Sequence, residues 1–524
     1  MGDRAVLVEL DSLDEVLGSL TALTASRPPG VVDLVPAART ILVVCDTRTF
    51  TLAAARSWIG AALDEASGRP DHGGDRLVEL PTVYDGDDLL ALADSLGMSP
   101  AALAEAHTTA QWSVAFTGFA PGFGYLVSPD WTWTVPRLSR PRTRVPAGAV
   151  GVAGQFSGAY PRDTPGGWQL IGTTSAPLFD PASASPALLA PGTRVRFVPV
   201  AATIAAAGTR SLSPAVPVPA VPAPSAAVPV DSPRGGGRAL RISDPGLRAT
   251  IQDLGRPGHA AEGIAVSGAA DRSALRTANR LVGNDEGAAG IEVTMGGWRA
   301  TAETDLWFVV AGGWGPIRLD GRTVDPYEAH AWPAGSELHL DRFEHGAHAY
   351  LAVRGGIDAP LTAGSRATDT LAGLGPRPLR SGDVVPVGDV TAGAVPVAPV
   401  HPWGPPNDEL IEVGLLPGAR ADWFDRDALD TVYDAVWTVS NDIDRVGMRL
   451  DGPVLGRAVS GSELASEGMV PGALQVPPSG RPVVLGPDGP VTGGYPVIAV
   501  VADASRDRLA QARPGTRVRF RHAR

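Results

Sequence analysis

Pro191-Gly192-Thr193-Arg194-Val195-Arg196-Phe197 returns unchanged as Pro514-Gly515-Thr516-Arg517-Val518-Arg519-Phe520. Each copy closes one half of the chain, and the echo extends upstream. Val145-Pro146-Ala147-Gly148-Ala149-Val150 has a counterpart in Val470-Pro471-Gly472-Ala473-Leu474. A Gly-Gly-aromatic step follows in both halves, at Gly166-Gly167-Trp168 and Gly493-Gly494-Tyr495. Three markers in the same order, at nearly equal intervals, point to a duplicated module. A period this long signals duplicated domains rather than a solenoid of short units. The function is then expected from two related halves acting on one another or on one substrate.

A chain of 524 residues is too long for one hydrophobic core, so several domains are expected. Hydrophobic residues make up 44% and charged residues 19%, the balance of an ordinary soluble protein. No apolar run approaches the roughly 18 residues that a bilayer requires. Met1-Gly2-Asp3-Arg4 does not open a secretory signal. The single cysteine, Cys45, excludes an internal disulfide framework and fits a reducing, cytoplasmic setting. It sits in an apolar stretch and reads as a core residue. A net charge of −12 argues against a nucleic-acid partner, which needs concentrated positive charge. All 44 Lys and Arg residues are arginine. Without lysine the chain offers no Walker-A lysine, Schiff base or biotin attachment point, so no cofactor is expected to be covalently attached.

Along the chain, residues 1–80 alternate strand-like and helix-like stretches, a small α/β domain. Ser12 and Glu15 have the spacing of a capping box before a helix from Leu13, and Ser99-Pro100 opens another helix that ends near His107. Beyond Trp112 short apolar runs alternate with Gly and Pro, the texture of β-barrels or sandwiches. Residues 203–237 are mostly Ala, Pro, Val and Ser and read as an extended linker. Arg272–Leu281 reads as a helix, and strand-like runs resume after it. The segmentation is therefore 1–80, 81–202, linker 203–237, 238–395 and 396–524. Ser381-Gly382-Asp383-Val384-Val385 resembles the closing heptapeptide and suggests a third copy of the module.

Several segments could carry chemistry. Phe116–Leu126 combines glycines, which let backbone approach a ligand, with aromatic walls; core packing around a turn explains it equally well. Arg137, Arg140, Arg142 and Arg144 crowd one proline-stiffened loop, suited to a carboxylate or phosphate, although a solvated basic loop has the same composition. Tyr160 opens Tyr160-Pro161-Arg162-Asp163-Thr164-Pro165-Gly166-Gly167-Trp168. In the second half Gln252, Asp253 and Arg256 lie beside glycine turns, as do Asp444-Arg445 and Gln475-Val476-Pro477; turn chemistry alone also accounts for Asp beside Gly. His107, at a helix C-terminus, is a candidate proton carrier or simply a dipole-stabilised cap. His345 and His348 lack a third ligand, so no metal site is expected.

Together these segments resemble two known families. Residues 1 to about 200 resemble the B-type subunit of 5-oxoprolinase, also described as allophanate hydrolase subunit 1 or a sporulation kinase inhibitor. The resemblance rests on Pro81–Tyr84, His107-Thr108, Gly118–Leu126, Pro136–Gly148 and Thr164–Trp168. Residues 240–524 resemble the C-type subunit of 5-oxoprolinase, the biotin-dependent carboxyltransferase-like family. There it rests on Thr250–Gly258, Ala278–Asn284, Arg354–Ile357, Ser466–Gly472 and an intact Asp-x-x-x-Thr-Gly-Gly-Tyr-Pro from Asp488. Leu415–Arg420, ahead of Asp422-Trp423-Phe424, departs from the family pattern. The resemblance implies a mainly β protein with an α/β N-terminal part and several cyclophilin-like β-barrels, one in the first half and two in the second, joined by the Pro/Ala-rich linker. It implies fused B-type and C-type subunits that open 5-oxoproline to L-glutamate with ATP and Mg. A separate A-type 5-oxoprolinase subunit would work with them and could itself share in holding the nucleotide. The alternatives are biotin-dependent carboxyl transfer of the urea amidolyase type and a module that inhibits a histidine kinase. On the leading reading the substrate is a small anion. Catalytic roles are expected of His107 and Asp253, and substrate binding of Arg137, Arg142, Arg144, Tyr160, Gln252, Arg256, Gln475 and Tyr495. No membrane partner is expected, and homo-oligomers stay open.

Overall fold

The computed structural model describes residues 1–65, 76–138, 140, 142–181, 183, 186–201, 237–396, 403–458 and 464–523. The expected linker, 203–237, lies outside these residues except for Gly237. The N-terminal part is a three-stranded antiparallel sheet in the order Ala5–Glu9, Thr40–Cys45, Val31–Pro36. Helices Leu13–Ala25 and Leu52–Glu65 bury Val16, Leu23, Ala55 and Ile59 against it. Ser12 caps the first helix by accepting the Glu15 amide at 3.2 Å, and Glu15 returns to the Asp11 amide at 3.1 Å. Such a cap is worth about 1 kcal/mol.

The duplication is visible strand by strand. Gln169–Thr174, Leu77–Val83, Arg194–Pro199, Trp112–Thr117, Gly124–Val127, Phe156–Ala159 and Ala149–Ala153 close a barrel in that order. Val497–Val501, Leu410–Pro417, Arg517–His522, Val436–Ile443, Gly447–Asp451, Val483–Leu485 and Ala473–Gln475 close another in the same order. In both, the heptapeptide strand runs parallel to the strand that opens the barrel: Val195 faces Val78, and Val518 faces Ile411. On its other edge Val195 faces Trp112 and Val518 faces Trp437, antiparallel. Each tryptophan is buried, and its indole N–H donates to the carbonyl five residues earlier, at the end of the preceding helix: His107 at 2.9 Å and Val432 at 3.1 Å. Alternating Val and Phe of the heptapeptide point into the barrels while the arginines point outward.

Residues 239–387 take a different form. A six-stranded and a five-stranded sheet enclose a core built around Trp298, Phe308, Trp332 and Leu351. Val384–Pro386, the suggested third copy, pairs antiparallel with Ala239–Pro245, whereas the true closing strands pair parallel with their openers. The sequence similarity there reflects a Gly-turn before a strand, not a third module of the same topology. Helix Arg272–Leu281, capped by Asp271, packs on this body as expected.

The halves interlock. Asp33 of the N-terminal sheet accepts the Gly258 and Ala260 amides at 2.9 and 3.2 Å. The Ala38 amide donates to Ser466 O, and Gly468 lies against Leu42 so closely that a Cβ would meet the leucine side chain at 2.5 Å. No helix among the described residues is long and apolar enough to cross a membrane.

Candidate functional site

The Phe116–Leu126 loop of the first barrel reaches the last barrel. Phe119 holds a positive φ of 64°, and its amide donates to Thr492 Oγ1 at 2.9 Å. A Cβ on Gly118 would overlap the same hydroxyl, so only glycine permits this approach. The Tyr125 hydroxyl reaches Ser466 and Thr492. The aromatics pack on one another as a buried core cluster around the turn: Phe123 sits edge-to-face with Phe119, Tyr125, Tyr160 and Trp168. Tyr160 is buried, and burial raises its phenol pKa.

Across this junction the middle body presents the loop of residues 361–375. Asp253 fastens it by accepting Ser365 Oγ at 2.6 Å and the Arg366 amide at 2.7 Å. Gln252 donates to Thr368 O at 2.9 Å; Arg256 donates to Thr362 O and Ala367 O. After these bonds are made, Gln252 Oε1, Arg256 Nη1, Thr368 Oγ1 and Asp369 Oδ2 remain buried without a protein partner, as does Arg162 Nε of the first barrel. Arg162 and Arg256 both lie in the field of Asp369. Buried polar atoms rarely go unsatisfied, and five of them lie here, where the two halves meet. Burial, and then the neighbouring Asp488 carboxylate, raise the Asp369 pKa to about 6.

Beneath Asp369 lies a fully buried ion network. Arg445 grips Asp488 with Nε and Nη2, both at 2.9 Å, and Glu292 with Nη1 at 2.6 Å. Asp488 also accepts Thr370 N and Oγ1, both at 2.8 Å, and Ser267 Oγ at 2.7 Å. Glu292 accepts Tyr350 OH at 2.7 Å. Although burial pushes its pKa up, Arg445 and His348 pull harder and hold it at about 2.

The structure distributes the expected site residues unevenly. Gln252, Asp253 and Arg256 are brought together, while Tyr160 lies in the aromatic cluster of the first barrel, with Arg137 near it and Tyr125. Arg142 and Arg144, expected to clamp an anion, are instead committed within their own barrel. Arg142 pairs with Asp88 at 2.7 Å, and Arg144 pairs with Asp163 at 2.5 Å. Asp253, expected to be catalytic, has both oxygens engaged in holding the loop. Gln475 and the exposed Tyr495 lie on the last barrel, Tyr495 beside Arg457. His107 lies inside the first barrel. It is 0% exposed between Trp112, Trp131, Phe197 and Tyr84. An Nε2–H tautomer satisfies its surroundings: Tyr84 OH donates to Nδ1 at 2.8 Å, and Nε2 donates to Ser157 Oγ at 2.7 Å.

Burial pushes the His107 pKa down to about 3 from 6.5. The unfolded ring takes up a proton below pH 6.5 while the folded ring stays neutral, so the stabilisation is whole above pH 6.5. It is lost as pH falls toward 3, at about 1.4 kcal/mol per unit. His107→Gln is expected to abolish this slope between pH 6.5 and 5, measured as the difference between denaturation curves of variant and parent. An unchanged slope would place the titration elsewhere.

Asp369 and Arg162 escaped the sequence reading. Arg162 lies within the Tyr160–Trp168 segment, but nothing local distinguishes its guanidinium from those of Arg142 and Arg144. Among the described residues no group of three or more His, Cys, Asp or Glu side chains could hold a metal.

Residues 1–189 match the family model for carboxyltransferase domain, subdomains C and D, and residues 262–522 match that for subdomains A and B. The second half is 39% identical over 286 residues to the C-type subunit of 5-oxoprolinase from Escherichia coli K12, covering 54% of this chain and 90% of the relative. The first half is 50% identical over 127 residues to the B-type subunit of 5-oxoprolinase from Escherichia coli O157:H7, covering 24% of this chain and 58% of the relative. The crystal structure of TTHA0988 superposes with a TM-score of 0.83 at 34% identity, covering 99% of this chain and 100% of that one.

Proposed function

Since the chain belongs to the carboxyltransferase-domain family, with parts similar to the B-type and C-type subunits of 5-oxoprolinase in one polypeptide, we propose that it supplies the functions of both in an ATP-dependent 5-oxoprolinase. A separate A-type 5-oxoprolinase subunit would work with it and could share in holding ATP and Mg. One observation carries the reading: the unsatisfied buried groups of the junction match a small lactam carboxylate. Arg256 Nη1 and Arg162 Nε suit the carboxylate, Gln252 Oε1 the ring N–H, and Thr368 Oγ1 the ring carbonyl.

Hydrolysis adds water to the lactam carbon and breaks its bond to nitrogen. One proton must leave the water and one must reach the departing nitrogen. Asp369, with its pKa raised to about 6, is the group suited to move them. The aromatic cluster around Phe123 shields the junction from bulk water, which strengthens every charge interaction there. Purified chain mixed with an A-type 5-oxoprolinase subunit is expected to convert 5-oxoproline to glutamate with ATP, while neither alone does. Activity that appears only with a biotinylated partner, as carboxyl transfer, would overturn the proposal.

A further inference from the structure

A cavity of about 400 Å³ lies between the middle body and the last barrel, and of the groups named at the junction and in its ion network it shares only Arg445 and His348. That volume is at the small end of the range for small-molecule sites, about 300–1,000 Å³. Its lining has two characters. Met295 and Met448 contribute flexible apolar surface able to adapt to a ligand's shape. Arg248, His348, Arg445 and Arg506 contribute cationic or proton-bearing groups.

These cations are not equally neutralised. Arg445 is matched by Glu292 and Asp488. Arg248 is exposed, lies close enough to His348 to disfavour its protonation, and forms no ion pair with a carboxylate among the described residues. Arg506 meets Asp503 at 3.3 Å, but that carboxylate is shared with Arg4 at 2.6 Å and Arg272 at 2.8 Å. One acid lines the cavity, Asp444, whose carboxylate accepts the Val446 and Gly447 amides. Its presence penalises a doubly charged ligand more than a singly charged one.

We infer that this cavity is a second ligand site, separate from the junction, for a monocarboxylate carrying an apolar body. The carboxylate is held by Arg248 and Arg506, and the body lies against Met295 and Met448. The site is independent of the proposed ring-opening reaction, and its test needs no turnover.

The full chain, on its own, is titrated calorimetrically with octanoate, octanol and acetate. Octanoate is expected to bind with one-to-one stoichiometry, at least tenfold more tightly than either octanol or acetate. Arg248→Gln, at an exposed position, is expected to weaken octanoate at least tenfold with no change in melting temperature. Met448→Trp, which fills the cavity, is expected to abolish binding; if that variant does not fold, Arg248→Gln alone decides. Equal binding of octanoate and octanol, or octanoate binding untouched by Arg248→Gln, would overturn the inference.

Discussion

Arg445→Met is expected to destabilise the folded chain by about 3–5 kcal/mol, the cost of leaving buried acids without their counter-charge. The Arg445 side chain is 4% exposed, and those of its partners Glu292 and Asp488 are 1% and 0% exposed. Methionine fills similar volume, so the loss reports charge rather than packing. Glu292 belongs to the middle body and Arg445 to the last barrel, which makes this network the electrostatic seam of the second half. Denaturant unfolding checks the size of the effect. Adding Glu292→Gln to Arg445→Met is expected to recover part of the loss, because one of the stranded charges disappears. A loss below about 1 kcal/mol would mean that water reaches these groups on removal of the guanidinium.

Asp369→Asn is expected to reduce turnover by the reconstituted enzyme at least about 100-fold, the ordinary weight of a general acid–base group. The same substitution is expected to leave the fold intact and somewhat stronger at pH 7. The sign follows from the raised pKa. With 3.8 as its ordinary value and about 6 in the fold, Asp369 contributes stability that is whole below pH 3.8 and lost as pH rises through 6. Above pH 6 the folded chain holds an unfavourable carboxylate, which asparagine removes, for a gain of about 1–3 kcal/mol. Activity falling while stability rises is a signature that a merely structural aspartate does not give. Loss of both together would return Asp369 to the scaffold.

The duplicated architecture was open to sequence reading because its markers are local. The heptapeptide, the Val-Pro-Gly/Ala turn and the Gly-Gly-aromatic step each occupy equivalent strands or turns of the two barrels. The middle body was less legible, since Ser381–Val385 shares a turn with the closing strands but not their parallel partner. The site was legible on one side only. Gln252 and Arg256 stand together in sequence and in space, whereas Asp369, to which we assign the proton transfer, sits over 100 residues away on a loop whose Asp, Thr and Gly residues read as turn chemistry. The arginine-rich loop misled for the opposite reason. Its composition suits an anion, but Asp88, 54 residues from Arg142, and Asp163, 19 from Arg144, neutralise two of its members. His107 misled because the helix end that suggests a poised imidazole also delivers it into a barrel core.

If one small anion is held by both halves at once, the Michaelis constant for 5-oxoproline must respond to a change on either side. It is measured in the reconstituted enzyme for Arg162→Gln, in the first barrel, and Arg256→Gln, in the middle body. Each variant is expected to raise the constant by about tenfold or more, the weight of one charge-assisted hydrogen bond. A rise in the Arg256 variant with none in the Arg162 variant would contradict the shared site and confine the substrate to the second half.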